Sequence, residues 1–460
     1  MTLSRRQLLA AAAGLAASPT YVLSAGAEES GDGFRLLRAR PAKLPLLGEG
    51  RDPTGIWSWD QAETVTTIRA VQGQELKVRL FNELEQDIWF HWFGVRGPSD
   101  MMTVNVQPGE QNAVDCVFTP PDAGTFWFGP LTSASQQREM GLYGLLVVAE
   151  KESPGDFTDL PIVLDDWLVD DAGALLPGFG NLEMAVAEGR LGNWFTVNGV
   201  LKPALAVEAA KPVRLRLLNA ANVRTMGLLL KGADPWIMAL DGQPVPLRHV
   251  GQDAVRLSPG QRVDLLLDKP SGTITLALDL FEDVVEIGTI QVSGKPGENA
   301  LPDNFALPPN PISTQTTGMA RAVTLMLEGG AKGGLKSARV GDETLDTRGL
   351  LERGLAWAIN GVAGPGGPPL FTAKAGELLL LHFDNRTTFP QPLHIHGHVW
   401  QVAEADGAVK DGEPWRDTLV VPGLATLKAY VVADNPGVWA IQNLVAERVD
   451  AGFLGAFAVE

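Results

Sequence analysis

The chain carries one two-part pattern three times, and this repetition constrains its fold more than any other feature. The first part is Gly73 to Asn82 (GQELKVRLFN), Ala210 to Asn219 (AKPVRLRLLN) and Gly376 to Asn385 (GELLLLHFDN). Apolar and charged side chains alternate in the first two copies, the period of a strand, and the third is a more apolar version. Each stops at an asparagine suited to a turn. The second part is a Pro-Gly turn: Val106-Gln107-Pro108-Gly109, Leu257-Ser258-Pro259-Gly260 and Val420-Val421-Pro422-Gly423. Each leads into a strand-like segment closed by a further turn, at Pro121-Asp122-Ala123-Gly124, Lys269-Pro270-Ser271-Gly272 and Asp434-Asn435-Pro436-Gly437. The asparagines stand about 140 and about 165 residues apart, room for one Greek-key β-sandwich each. Helical periodicity is scarce, with Leu182 to Glu188 the best short candidate.

Composition agrees with an all-β chain: 51 glycines and 32 prolines among 460 residues supply many turns. Shifts at the charged connector Glu150 to Asp159 and at the Pro/Asn/Gly-rich stretch Gly294 to Thr317 divide the chain. The expected domains are residues 33–150, 158–293 and 320–460, with 294–319 as a linker. A net charge of −17 argues against nucleic-acid binding, which rests on cations neutralising phosphates. One cysteine excludes an intrachain disulfide, an Fe–S cluster and a Cys-based zinc site. The first 27 residues read as a twin-arginine export signal. Arg5-Arg6 precede a mild apolar run from Leu8 to Ala17, and Ala25-Gly26-Ala27 offers a cleavage site. That run is too short to span a bilayer, and no later stretch reaches 18 apolar residues. The expectation is a periplasmic protein, passed through the twin-arginine machinery and left without a membrane span.

Four segments resemble the copper motifs of the three-domain multicopper oxidases, and the similarity covers nearly the whole chain after the signal. Phe90-His91-Trp92-Phe93-Gly94 is similar to the first motif, H-W-H-G. Phe126 to Leu131, followed by Gly141-Leu142-Tyr143-Gly144, is similar to the second, Y-W-Y-H-S-H. Gln391 to His398 (QPLHIHGH) is similar to the third, H-P-x-H-x-H-G-H. Gly437 to Leu444, continuing to Arg448 and Gly452-Phe453, is similar to the fourth, G-x-W-x-x-H-C-H. Thr196-Val197-Asn198-Gly199 and Trp415-Arg416-Asp417-Thr418 agree with the family scaffold. The resemblance implies three cupredoxin-like Greek-key sandwiches.

It also implies eleven copper ligands, of which three are present. The type 1 copper of the family takes two histidines and a cysteine thiolate that relays electrons. Those positions hold Gln391, Asn443 and Arg448, and a guanidinium carries a fixed positive charge. Five of the six type 3 positions hold Phe93, Gly129, Leu131, Gln442 and Leu444, with His396 retained. Both type 2 positions remain, as His91 and His394. His394, His396 and His398 are expected on one face of a strand. Two readings stand for the remnant. In one, the histidines are relics satisfied by hydrogen bonds between domains, and no cofactor is held. In the other, His91 and His394 ligate one copper or zinc, with His396 as a third ligand or a supporting group.

The remaining candidates read as structural. Cys116 shares a strand face with Val114 and Phe118, as a core thiol would. His249 is isolated, His382 sits among leucines, and Met101-Met102 suggest loop packing. Asp165-Asp166 and Asp170-Asp171 read as solvated surface. The chain contains no P-loop, no G-x-S-x-G elbow and no G-x-G-x-x-G after a strand. Without the thiolate and most type 3 ligands, laccase-type oxidase activity is not expected. The pattern resembles the copper-less FtsP/SufI-type periplasmic proteins associated with the septal ring, which implies a non-catalytic role with an envelope protein partner. The retained H-x-H-G-H run departs from that pattern and keeps the alternative, a metal-dependent oxidoreductase, open.

Overall fold

The computed structural model describes residues 30–48, 50–60, 65–280, 283–295, 301, 305–314 and 319–460. The export signal read at residues 1–27 lies outside the described residues, as does much of the stretch 294–319.

Among the described residues, strands form seven sheets, six of which pair into three sandwiches. The first sandwich spans Arg35–Leu44 to Gly144–Ala149, the second Thr158–Trp167 to Val284–Ser293, and the third Arg321–Gly329 to Leu454–Val459. In each, the opening strand runs parallel to the repeat strand: Arg35–Leu44 beside Leu76–Asn82, Thr158–Trp167 beside Val213–Asn219, and Arg321–Gly329 beside Glu377–Asn385. A parallel neighbour cannot be reached by a hairpin, so the chain crosses to the other sheet and back, as a Greek key does. Helices are confined to short turns such as Leu182–Ala185.

The repeated asparagines explain why the two parts of the pattern recur together. Asn82, Asn219 and Asn385 are buried. The Asn82 amide donates to the Val106 carbonyl at 2.8 Å, Asn219 to Leu257 at 2.8 Å, and Asn385 to Val421 at 3.1 Å. Each amide oxygen in turn accepts a backbone N–H two residues on, from Leu84, Ala221 and Thr387, at 3.0 Å. The side chain thus ties the end of the repeat strand to the residues at the Pro-Gly turn. It satisfies backbone groups that the corner would otherwise bury unpaired.

The domains are joined by buried polar groups as well as apolar ones. One apolar cluster runs from the first sandwich into the third, whereas the second has its own. On Val213–Asn219 the charged face is not solvated: all seven residues are buried. Arg214 and Arg216 both reach Asp264, at 2.6 and 3.2 Å, and Asp264 accepts from the Thr125 hydroxyl of the first domain at 2.7 Å. The stretch read as a linker also packs. Phe305 and Leu307 are buried against Met238, Ala239 and Leu266. The Asn310 side chain bridges the Ala123 backbone to Gly242 and Gln243.

Asp165 and Asp166 are corrected from surface to interior. Asp165 accepts from the Tyr143 hydroxyl at 2.5 Å, and Asp166 pairs with Arg224 at 2.6 Å. Burial raises both carboxyls above the usual range. Asp170 and Asp171 are exposed, and Asp170 closes its own turn by accepting from Ala172 and Ala174 at 2.9 Å. Cys116 lies in the first core, its thiol pushed up to about 12 by burial, which makes it unreactive. Met101 and Met102 pack against the same core.

Candidate functional site

Strand Ile88–Phe93 delivers one histidine to the interface between the first and third domains. Its pattern alternates around an outward Trp89, so Phe90 and Trp92 enter the core while His91 and Phe93 face the third domain. There Gln391–Ile395 brings His394, and the bend after the strand brings His396. His91, His394 and His396 form one buried group whose ligand nitrogens all lie within 4.8 Å of one another. The His91 and His396 rings stack at 3.9 Å, and His394 lies 6.3 Å from His91 between centroids.

His398 does not join them, and the expectation of three histidines on one strand face is corrected. The strand ends at Ile395, and Gly397 takes a φ of 66°, which turns the chain. His398 instead donates from Nδ1 to the His396 carbonyl at 3.0 Å, while its Nε2 accepts from Asn435 N–H. Burial pushes it down to about 4.

The outer nitrogens of the cluster are held, and two inner ones are bare. His91 Nδ1 hydrogen-bonds the Thr103 hydroxyl at 2.7 Å. His394 Nδ1 lies 3.2 Å from Asp417 Oδ1, a carboxylate that accepts its proton and fixes the tautomer. Asp417 is gripped by Arg262 of the second domain through both guanidinium nitrogens and accepts from Thr418 at 2.7 Å. Burial alone would raise this carboxyl, but Arg262 and His394 outweigh it and hold it well below the usual range. The Nε2 atoms of His91 and His394 are buried without a hydrogen-bond partner. His396 Nε2 donates to Gln442 Oε1 at 3.2 Å. Burial, and then the neighbouring rings, drive His91 and His396 well below the ordinary histidine value. They are therefore neutral, with lone pairs available to a metal.

The adjoining positions are filled. Phe93 stacks on Trp127 at 3.7 Å with planes 5° apart, beside His91 at 4.6 Å. The Arg138 guanidinium lies 5.3 Å from the Phe93 ring and 5.1 Å from Trp127. Arg138 donates to the carbonyl of Leu444 at 3.1 Å and, more weakly, to that of Pro130. Gly129 lies close under Trp127, and Leu131 and Leu444 join separate small apolar clusters.

Gln391, Asn443 and Arg448 meet in one pocket and bond to one another. Gln391 Oε1 accepts from Asn443 at 2.7 Å and from Arg448 at 2.8 Å, while its amide donates to Thr387 at 2.7 Å. Asn443 Oδ1 accepts from Val445 N–H at 2.8 Å, and Arg448 also donates to the Pro390 carbonyl at 2.9 Å. The guanidinium sits over Trp357 and Phe389 at 5.1 and 4.9 Å. Phe453 stacks on Trp357 from its own side, at 5.3 Å.

Thr103, Arg138, Arg262, Asp417 and Thr418 are parts of this site that motif reasoning did not single out as such. Asp417-Thr418 carried a signal, standing inside the quoted Trp415–Thr418 scaffold segment, but Arg138 carried none. His249 is exposed and pairs with Asp234, and His382 is half-buried on its strand.

Comparison with known proteins agrees with this architecture. Multicopper oxidase family models match residues 48–153, 158–273 and 342–460. The multicopper oxidase MmcO of Mycobacterium tuberculosis is 27% identical, over 81% of this chain and 77% of its own. The cell division protein FtsP of Escherichia coli is 26% identical, over 100% of this chain and 99% of its own. The crystal structure of a multi-copper oxidase from Pseudomonas thermotolerans matches with a TM-score of 0.78 and 29% identity, covering 95% of this chain and 100% of that one. Three tandem cupredoxin-like sandwiches, matched one by one, place this chain in the multicopper oxidase superfamily.

Proposed function

We propose that this protein is a non-catalytic relative of the oxidases that works by binding a partner in the periplasm. The observation that carries the reading is Arg448. A relay copper needs a thiolate in a pocket that tolerates a cation. Here Asn443 stands at the thiolate position, and a histidine position of the same centre holds Arg448, a buried guanidinium already bonded to Gln391 and Pro390. Burial brings Arg448 down only to about 10, so it is charged at neutral pH and repels a metal ion. The donor set of amides and guanidinium does not fit copper. The type 3 positions fit no better. Phe93, Leu131 and Leu444 offer no lone pair, and Arg138, held down to about 10 by burial, adds a second cation nearby.

Similarity to FtsP over the full length supports a role in cell division, and the twin-arginine pattern supports export. The test has two arms. Purified protein should be colourless and consume no oxygen with an electron-donating dye and added copper. A deletion strain should filament or show envelope stress. Steady oxygen uptake by pure protein would overturn the reading.

A second reading rests on its own observation, the two bare Nε2 atoms. They fit one copper or zinc held by His91 and His394, with Thr103 and Asp417 orienting the rings. A metal there supplies a Lewis acid or a structural clamp between domains. His91→Ala should abolish binding of about one metal per chain. No stoichiometric metal after copper or zinc loading would exclude this reading.

A further inference from the structure

A cleft of about 640 Å³ opens where the first and third domains meet a loop of the second. Its volume falls in the range of about 300–1,000 Å³ typical of small-molecule sites. Trp89 forms one wall. It points away from the core its strand neighbours fill and is 44% exposed, an indole kept at the surface. Phe179 lines the same cleft from the second domain and Ala440 from the third.

The polar groups specify charge. Among the described residues no Lys, Arg or His lines the cleft, so an anion finds no counter-charge in that lining. Its one ionisable group is Asp450, which accepts from the Ala134 and Ser135 N–H groups at 2.9 and 2.8 Å. Ser133, at a φ of 52°, makes no side-chain bond to the short helix it precedes, because Asp450 takes that place. Its hydroxyl remains for a ligand. Thr103 also lines the cleft, with its Oγ1 2.7 Å from His91 Nδ1.

We propose that this cleft binds an uncharged two- or three-ring aromatic molecule with one polar edge. The rings lie against Trp89 and Phe179, and the polar edge meets Ser133 and Thr103. The molecule is bound, not turned over, and the inference depends on neither reading of the histidine cluster. Through Thr103, occupancy is felt at His91.

The test is titration of the exported full chain with N-phenyl-1-naphthylamine. Saturable, blue-shifted emission from one site is expected. The anionic analogue 1-anilinonaphthalene-8-sulfonate should bind at least about tenfold more weakly. Trp89→Ala, a surface change, should weaken binding about tenfold. Ala440→Phe should do so by filling the cleft, and Leu424→Ala, at a distant exposed leucine, should leave it unchanged. The His91 ring nitrogen resonances should shift on ligand addition. Absence of saturation up to the probe's solubility, equal binding of the sulfonate, or wild-type binding by Trp89→Ala would each overturn the proposal.

Discussion

Two buried polar clusters, one within the third domain and one at its seam with the first, are built in opposite ways. Around Gln391, Asn443 and Arg448 every amide oxygen has a donor, and the guanidinium is sandwiched among aromatic rings. Around His91 and His394 the outer nitrogens are anchored, yet both Nε2 atoms are buried with no hydrogen-bond partner. The first region is closed by hydrogen bonds among its own side chains and neighbouring backbone. The second leaves two buried ring nitrogens without a partner.

The largest way to break this contrast is Arg448→Ala. It strands the Pro390 carbonyl, leaves Gln391 Oε1 with Asn443 as its remaining donor and opens a hole beside Trp357. Denaturant unfolding should show a loss of about 3 kcal/mol or more. A loss under about 1 kcal/mol would mean the network is not what closes the pocket.

Next in size is a pH effect at Glu447, beside Arg448, and at Glu139 of the first domain. Glu447 meets Asn222 of the second domain at 3.2 Å, and burial pushes it up to about 8. Burial pushes Glu139, paired with Arg190, up to about 7. Folded carboxyls with raised values bind protons that the unfolded chain has released. Their contribution is intact below the ordinary value near 4.5 and is lost as pH rises through 7 to 8. Melting temperature should fall between pH 5 and 9, and Glu447→Gln should flatten that fall. An unchanged slope in the variant would exclude Glu447 as its source.

The contrast sharpens at the histidines. If they hold a metal, Asp417→Asn should weaken affinity by about tenfold to a hundredfold, since it orients His394 without touching the ion. Calorimetric titration with zinc reads this directly, and equal affinities would remove Asp417 from the site. The smallest effect is expected from His91→Phe in metal-free protein. It deletes a bare buried nitrogen and leaves Thr103 facing the cleft, so stability should change by about 1 kcal/mol or less. A much larger loss would show that the bond from the imidazole to Thr103 is structurally important.

Much of the fold was legible from local pattern. The asparagine and Pro-Gly repeat marks three sandwiches because each asparagine has the same corner to satisfy, and the family resemblance implies that His91 meets His394 and His396. The strand period misled at His398, which it set on the cluster's face, but Gly397 turns the chain before it gets there. The reading of Asp165-Asp166 as solvated surface also failed, because neighbouring segments cover both. Alternation reports which side chains share a face, not what lies opposite that face. Arg138 was invisible for the same reason: its partners, the Leu444 carbonyl and the Phe93–Trp127 stack, come from three separate segments.

The sequence by itself determined the three-sandwich architecture and the identity of every side chain at the eleven ligand positions, because both depend on short-range pattern and residue chemistry. Only the tertiary structure decided that Gln391, Asn443 and Arg448 bond to one another while the Nε2 atoms of His91 and His394 find no partner. Whether a buried polar atom is satisfied depends on groups that other domains bring within 3 Å, and no local pattern encodes that distance.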